Sequence, residues 1–221
     1  MIKEIISIAD GKMKKSIDVL IVESDATTTN ADKACVASGM EDMCDRVGVR
    51  FVNLTHEKER IELKVPNPMA LDTIKVPKIV TESAIINAAK LKTHMETGVT
   101  LGMKNMFGLL PDKFKGKYHV KGINKVATDI NSVLKPALTV IDGFVGMEGN
   151  GPIEGTPVKA NVIVASKDVV AADSVACHIM GISPYTVPHI RRAHDKGLGN
   201  IENIQILGDS LESAVHPFKK A

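Results

Sequence analysis

The chain has 221 residues, is 44% hydrophobic and 24% charged, and carries 28 Lys+Arg against 26 Asp+Glu for a formal net charge of +2. A chain of this length buries roughly 70% of its open surface, enough for one sizeable core, and its ordinary glycine, proline and apolar content excludes collagen-like, mucin-like and wholly disordered chains. Aromatics are only 3%, with no Trp, so the core is aliphatic and the stacking platforms of single-strand nucleic-acid binders are lacking.

The opening stretch MIKEIISIADGKMKK has acids and only a short apolar patch, unlike a secretory signal. No apolar run reaches the roughly 18 residues of a membrane span. Three cysteines do not make a disulfide framework. These features predict a soluble, thiol-reduced cytoplasmic protein with no membrane partner, folded as a single α/β domain over 1–221.

In chain order, β-branched runs predict strands at Asp18–Val22, Arg50–Leu54, Ala84–Asn87, Leu138–Ile141, Asn161–Ala165 and Asn203–Leu207. Lys58–Val65 and Thr73–Val76 alternate more and read as a hairpin or edge strands. Helices are predicted over Asn30–Val47 with a break at Gly39, and over Gly122–Leu134, Lys167–Met180 and Pro184–Lys196. Strands alternating with helices imply a mostly parallel sheet with helices on both faces, a three-layer α/β/α arrangement. Lys90–Tyr118 fits neither pattern and reads as a long Lys/Gly-rich insertion after a central strand, with 90–121 as the functional region.

Charge is concentrated there. Residues 90–125 hold eight lysines and two acids, so this segment carries +6 and the remaining residues −4. A focused positive field favours an anionic ligand. KLKTH (Lys90 to His94) follows directly on a strand, and if that strand continues, Lys90, Lys92 and His94 share one side. Two ammonium groups beside the imidazole should hold His94 neutral and able to accept a proton near pH 7. In TLGMKNMFG, free N–H groups near Gly102 could hold a phosphate or carboxylate, with Lys104 adding charge and Asn105 an orienting amide. It is not a P-loop, since no GxxxxGK[ST] occurs.

The second unusual stretch is IDGFVGMEGNGPIEG, Ile141–Gly155, with five glycines in fifteen residues. That density reads as backbone that is neither helix nor strand, with Gly149 and Gly151 able to form an anion nest. Asp142 and Glu148 could hold a divalent cation or act as acid–base groups.

Other residues carry less. An iron–sulfur cluster generally needs four ligands, so none is expected from Cys35, Cys44 and Cys177 alone. His189 and His194 are five apart, off a common helical face, so the zinc spacing of HExxH is not met. Asp173 could point at the sheet edge. No GxSxG occurs.

KLKTH at 90–94, GMKNMFG at 102–108, Pro111, His119, IDG at 141–143, MEGNGP at 147–152 and VVAADSVAC-x-x-MG at 169–181, taken in order, resemble the domain of unknown function 362 family, common in archaea and anaerobic bacteria. The resemblance spans nearly the whole chain. It implies no settled activity. Many members carry a ferredoxin-like iron–sulfur module, which is not found here, and an N-terminal Lys-Pro-Asn element before the part that matches.

The expected function is an enzyme on a small anionic metabolite, a carboxylate or phosphate, by a lyase, isomerase, transferase or redox-linked reaction. Lys90, Lys92 and Lys104 would hold the anion, Asn105 would orient it, and His94 or His119 would move a proton opposite Asp142 or Glu148. The alternative is a redox accessory docking a separate ferredoxin-like protein through the basic face. Few arginines and aromatics argue against a nucleic-acid partner. A homo-oligomer is compatible with the sequence.

Overall fold

A computed structural model describes residues 18–221; the opening stretch read above for a leader lies outside the described residues. The first unit is a crossover. Strand β1 (Leu20–Glu23) pairs in parallel with β2 (Arg50–Asn53), and helices α1 (Ala31–Ala37) and α2 (Met40–Val47) connect them. Asn30 caps α1 by accepting from the Lys33 N–H, and Gly39 breaks the helical run in the left-handed conformation, as the sequence predicts.

Strands β3 (Arg60–Lys64) and β4 (Thr73–Pro77) form the expected antiparallel pair, followed by the short helix α3 (Lys78–Thr81). The central sheet is built on β5 (Ile86–His94), which turns back as β6 (Gly98–Thr100). Next come α4 (Gly102–Asn105), a 3-10 turn at Met106–Leu109, α5 (Gly116–Val120) and α6 (Ile123–Val133). The chain then returns as β7 (Leu138–Glu148), parallel to β5. Strand β8 (Thr156–Val158) and strand β9 (Val162–Ser166) both pair antiparallel with β7, at its far and near halves respectively. Helices α7 (Val169–Ile179), α8 (Pro188–Asp195) and α9 (Leu211–Ala214) complete the chain.

The architecture is mixed α/β, with a five-stranded central sheet in the order β6-β5-β7-β8, β9 beside β7, and flanking helices. Parallel pairing occurs at β5–β7 and β1–β2; the hairpin returns make the other pairs antiparallel. One core joins Ala89, Leu91 and Ile141 of the sheet to Val170, Met180 and Ile190 of α7, its C-cap and α8. A second joins Val52, Leu54, Ile74 and Val76 to Phe107, Leu110 and Ile130. Leu91 and Ile141 are fully buried, each stabilising the fold by about 1.5–3 kcal/mol. The other side of the central sheet shows Ile86, Phe144 and Ile163 to solvent. No described helix is long and apolar enough to cross a membrane.

Three expectations need correction. Lys90–Tyr118 is not a long loop: β5 runs on to His94, and a hairpin, a helical turn and α5 absorb the rest. The glycine stretch is strand as far as Glu148, because its glycines serve close packing. A Cβ on Gly143 would lie 2.7 Å from both Leu91 and Val162 side chains, and one on Gly146 2.7 Å from the Leu91 carbonyl. Asn203–Leu207 is not a strand; Asn203 has φ of 55°, and Leu207 is exposed with no neighbouring strand.

The final residues lie along the sheet. His216 and Phe218 donate their N–H groups to the Ile179 and Met180 carbonyls, Lys219 N–H donates to the Glu148 carboxylate, and the Lys219 carbonyl accepts from Gly149 N–H.

Candidate functional site

The site forms where β5 ends. Strand alternation places Lys90, Lys92 and His94 on one side, as the sequence predicts. Lys90 is drawn off by Asp142, its register partner on β7, whose carboxylate lies 2.7 Å from Nζ. Farther along the strand, Lys92 feels the charge of Glu23 at the end of β1, and His94 that of Lys104 on α4.

Three ammonium groups gather there. Lys104 projects from α4 with Nζ 4.6 Å from the centre of the Phe107 ring, and Lys115 Nζ lies 5.8 Å from the same ring. Lys115 is buried and donates to Ser24 Oγ at 2.6 Å, while Ser24 donates to the Gly108 carbonyl. Glu23, at the end of β1, supplies the negative charge that acts on Lys92, Lys104 and Lys115 alike. Gly108 makes room for it: a Cβ there would stand 2.6 Å from Glu23 Oε1.

Glu23 is the carboxylate that all three lysines share, while Glu96 also acts on Lys104, and Asp112 and Asp25 act on Lys115. Burial holds Lys92 and Lys115 below the usual lysine range, with Glu23 opposing the shift in both. Lys104 is lowered to about 8, first by burial and then by Lys115 and Lys92. His94 is lowered to about 4, again by burial first and then by Lys104.

The neutral imidazole is therefore as expected, but its assigned role is not. His94 Nδ1 accepts from the Glu96 and Thr97 N–H groups at 3.1 and 3.3 Å, which places the ring hydrogen on Nε2. With its basic nitrogen engaged and its pKa near 4, His94 presents a donor rather than a base near pH 7. His119 stands at the more exposed rim, with Nδ1 2.6 Å from Glu96 Oε2.

The other predicted residues are turned inward. Glu148 holds the Lys219 N–H at 2.9 Å, away from Lys92, whose register partner is the adjacent Met147. Gly149 N–H is bound to the Lys219 carbonyl and Gly151 N–H to the Gly149 carbonyl, so neither is free to form an anion nest. The glycine turn does meet the lysine strand: Thr93 Oγ1 donates to the Gly149 carbonyl at 2.7 Å and Met95 N–H to the Gly151 carbonyl at 3.0 Å. The Asn105 amide donates to Asn87 Oδ1 and the Ala88 carbonyl, pinning α4 to β5 instead of orienting a ligand. The Gly102 and Met103 N–H groups hold a carboxylate from within the protein, that of the fully buried Asp173, at 2.7 and 2.9 Å. Burial raises Asp173 to about 7 against the lowering effect of those two bonds.

Among the described residues, no group of three or more His, Cys, Asp and Glu side chains is placed to hold a metal ion. Cys35, Cys44 and Cys177 are separate, buried and free. Sequence reasoning missed Glu23 and singled out Lys115 only as part of a charge run. Nothing local marks either residue, since Lys115 and Ser24 meet across 91 positions.

No solved structure matches the chain. A thylakoid-associated protein of Synechocystis is 33% identical over 120 residues, which cover 52% of this chain and 37% of the relative. The chain thus matches little more than a third of that relative's length. The model of the family described as "Domain of unknown function (DUF362)" matches residues 1–178. On that match, the chain belongs to the DUF362 family.

Proposed function

We propose that the chain binds a small anionic metabolite, a carboxylate or phosphate, at the end of β5, and that the site does proton chemistry on it. The observation that carries this reading is the convergence of Lys92, Lys104 and Lys115 on a half-buried site with Glu23 as their shared counter-charge. Burying ammonium groups beside one another is costly unless something neutralises them. A bound anion does so, with Lys92, Lys104 and the His94 Nε2–H as donors. Lys104 is the group whose pKa, about 8, suits proton exchange at neutral pH, so it takes the role first given to His94.

The second reading, docking of a ferredoxin-like protein, has less support: Lys115 is buried and Lys92 and Lys104 are only partly exposed, so they offer little to a flat partner surface.

Titration calorimetry with inorganic phosphate tests the proposal. A charge-assisted hydrogen bond is worth roughly 1.5–3 kcal/mol, so Lys104→Met should weaken binding about tenfold or more. Phosphate affinity unchanged in both Lys104→Met and Lys92→Met would show that the anion site lies elsewhere.

A further inference from the structure

The turns at one end of the central sheet carry large apolar side chains that the fold leaves uncovered. Met95 opens the turn after β5 and is 69% exposed, Ile153 lies in the turn after β7 at 81%, and Val120 ends α5 at 91%. Phe114, two residues before α5, is 65% exposed and lies over Gly116, where a Cβ would stand 3.2 Å from its Cζ. Exposed apolar residues scattered singly are ordinary. These are brought together. Strands β5 and β7 run parallel, so their closing turns share an end, and the Met95 N–H donates to the Gly151 carbonyl at 3.0 Å. His119, next to Val120, has its Nδ1 2.6 Å from the carboxylate of Glu96, next to Met95.

The same end is basic. Lys113 adjoins Phe114 and Lys121 adjoins Val120, with Lys125 one turn on, and all three are exposed without an acidic partner among the described residues. Of the acids there, Glu96 is taken by His119, Asp112 by Lys117 and the Tyr118 hydroxyl, and Glu148 by the Lys219 N–H, which leaves Glu154 among the described residues. Clustered exposed apolar groups with a polar rim mark contact with a protein or a membrane. A protein interface needs a surface of matching shape. These side chains instead stand on separate turns, each close to fully exposed. A bilayer has no shape to match, takes up such tips one by one, and offers phosphates to the lysines around them.

We propose that this end of the molecule seats in the surface of an anionic lipid bilayer. Met95, Phe114, Val120 and Ile153 enter the boundary between headgroups and acyl chains, and Lys113, Lys121 and Lys125 lie against lipid phosphates. The absence of an apolar span excludes crossing the bilayer but not this contact. The inference does not depend on the anion site, although both lie at the end of β5.

The test is flotation of the full chain with vesicles of phosphatidylglycerol and phosphatidylcholine in equal parts, against vesicles of phosphatidylcholine alone. The expected result is binding to the first that falls as salt rises, and binding to the second about tenfold weaker or less. The double variant Val120→Ser/Ile153→Ser should weaken binding to the anionic vesicles about tenfold or more, and Lys121→Gln about fivefold. Phosphate affinity by calorimetry should hold in both variants, since none of the three residues belongs to the lysine cluster. All three are exposed, so the variants keep the core, and an unchanged thermal unfolding curve checks this. No binding to the anionic vesicles overturns the proposal and leaves the anion site standing. Binding that the double variant leaves intact also overturns it, because the attraction is then charge alone. Binding lost in Lys104→Met but kept in the double variant places the headgroup in the lysine cluster and overturns it as well. Self-association of the chain that the double variant abolishes, without vesicle binding, assigns the tips to a protein partner instead.

Discussion

Lys104 and His94 show how far a charged residue's behaviour depends on what the fold places around it. Anion affinity at this site should be flat between the His94 value of about 4 and the Lys104 value of about 8, then fall as Lys104 loses its proton. The sign follows from which form is charged: an amine with a lowered pKa contributes positive charge only below that value. Glycolate titrations from about pH 5.5 upward check it, because its carboxylate, with an ordinary carboxylate pKa, is almost fully ionised over that range. Bound anion favours the ammonium form, so the fall should shift to higher pH at saturating glycolate. A fall beginning near pH 6 would show that Lys104 is not the group responsible. The KLKTH pattern was legible because alternation is a local property and β5 does continue to His94. The direction of the His94 shift was legible too, but its tautomer was not, since that depends on backbone N–H groups in the following turn.

At the scale of elements, α4 is four residues long and cannot stand on its own helical propensity. It is positioned by Asp173 at its N-terminus and by Asn105 against β5, with Asn131 Nδ2 also donating to the Met103 carbonyl. Asp173→Ala should leave two buried N–H groups unpaired and cost about 2–6 kcal/mol, read as a lowered denaturation midpoint. It should also weaken phosphate binding, because Lys104 rides on the same turn. If stability falls while phosphate affinity holds in the folded fraction, α4 is placed by its packing alone. The sequence shows free N–H groups at Gly102 and a carboxylate at Asp173 but not that the two meet, as they lie 71 positions apart. The same limit applies to the glycine stretch. Glycine density looks like a loop when no neighbour is known, yet Gly143 and Gly146 are strand positions that Leu91, Val162 and Phe218 crowd.

Across the whole molecule, the alternation of strands and helices made the mixed α/β class legible, while strand direction required knowing which returns are hairpins. The lysine cluster draws on several distant parts of the chain: the end of β1, the end of β5, α4 and the segment before α5. The C-terminal residues reach it too. Lys219 holds Gly149 from one side, Gly149 receives the Thr93 hydroxyl on the other, and Thr93 precedes His94. Removing residues 216–221 should therefore lower stability by about 1–3 kcal/mol through the loss of Phe218 burial alone, measured as a shifted urea midpoint. It should also weaken phosphate binding. An intact phosphate affinity after trimming would show the glycine turn to be self-supporting. The bond pattern also bears on handling the protein. A protease nick after Pro217 would detach the Phe218 ring and both Lys219 bonds in one event, so a preparation cut there would keep its sheet yet titrate as though its ligand were wrong.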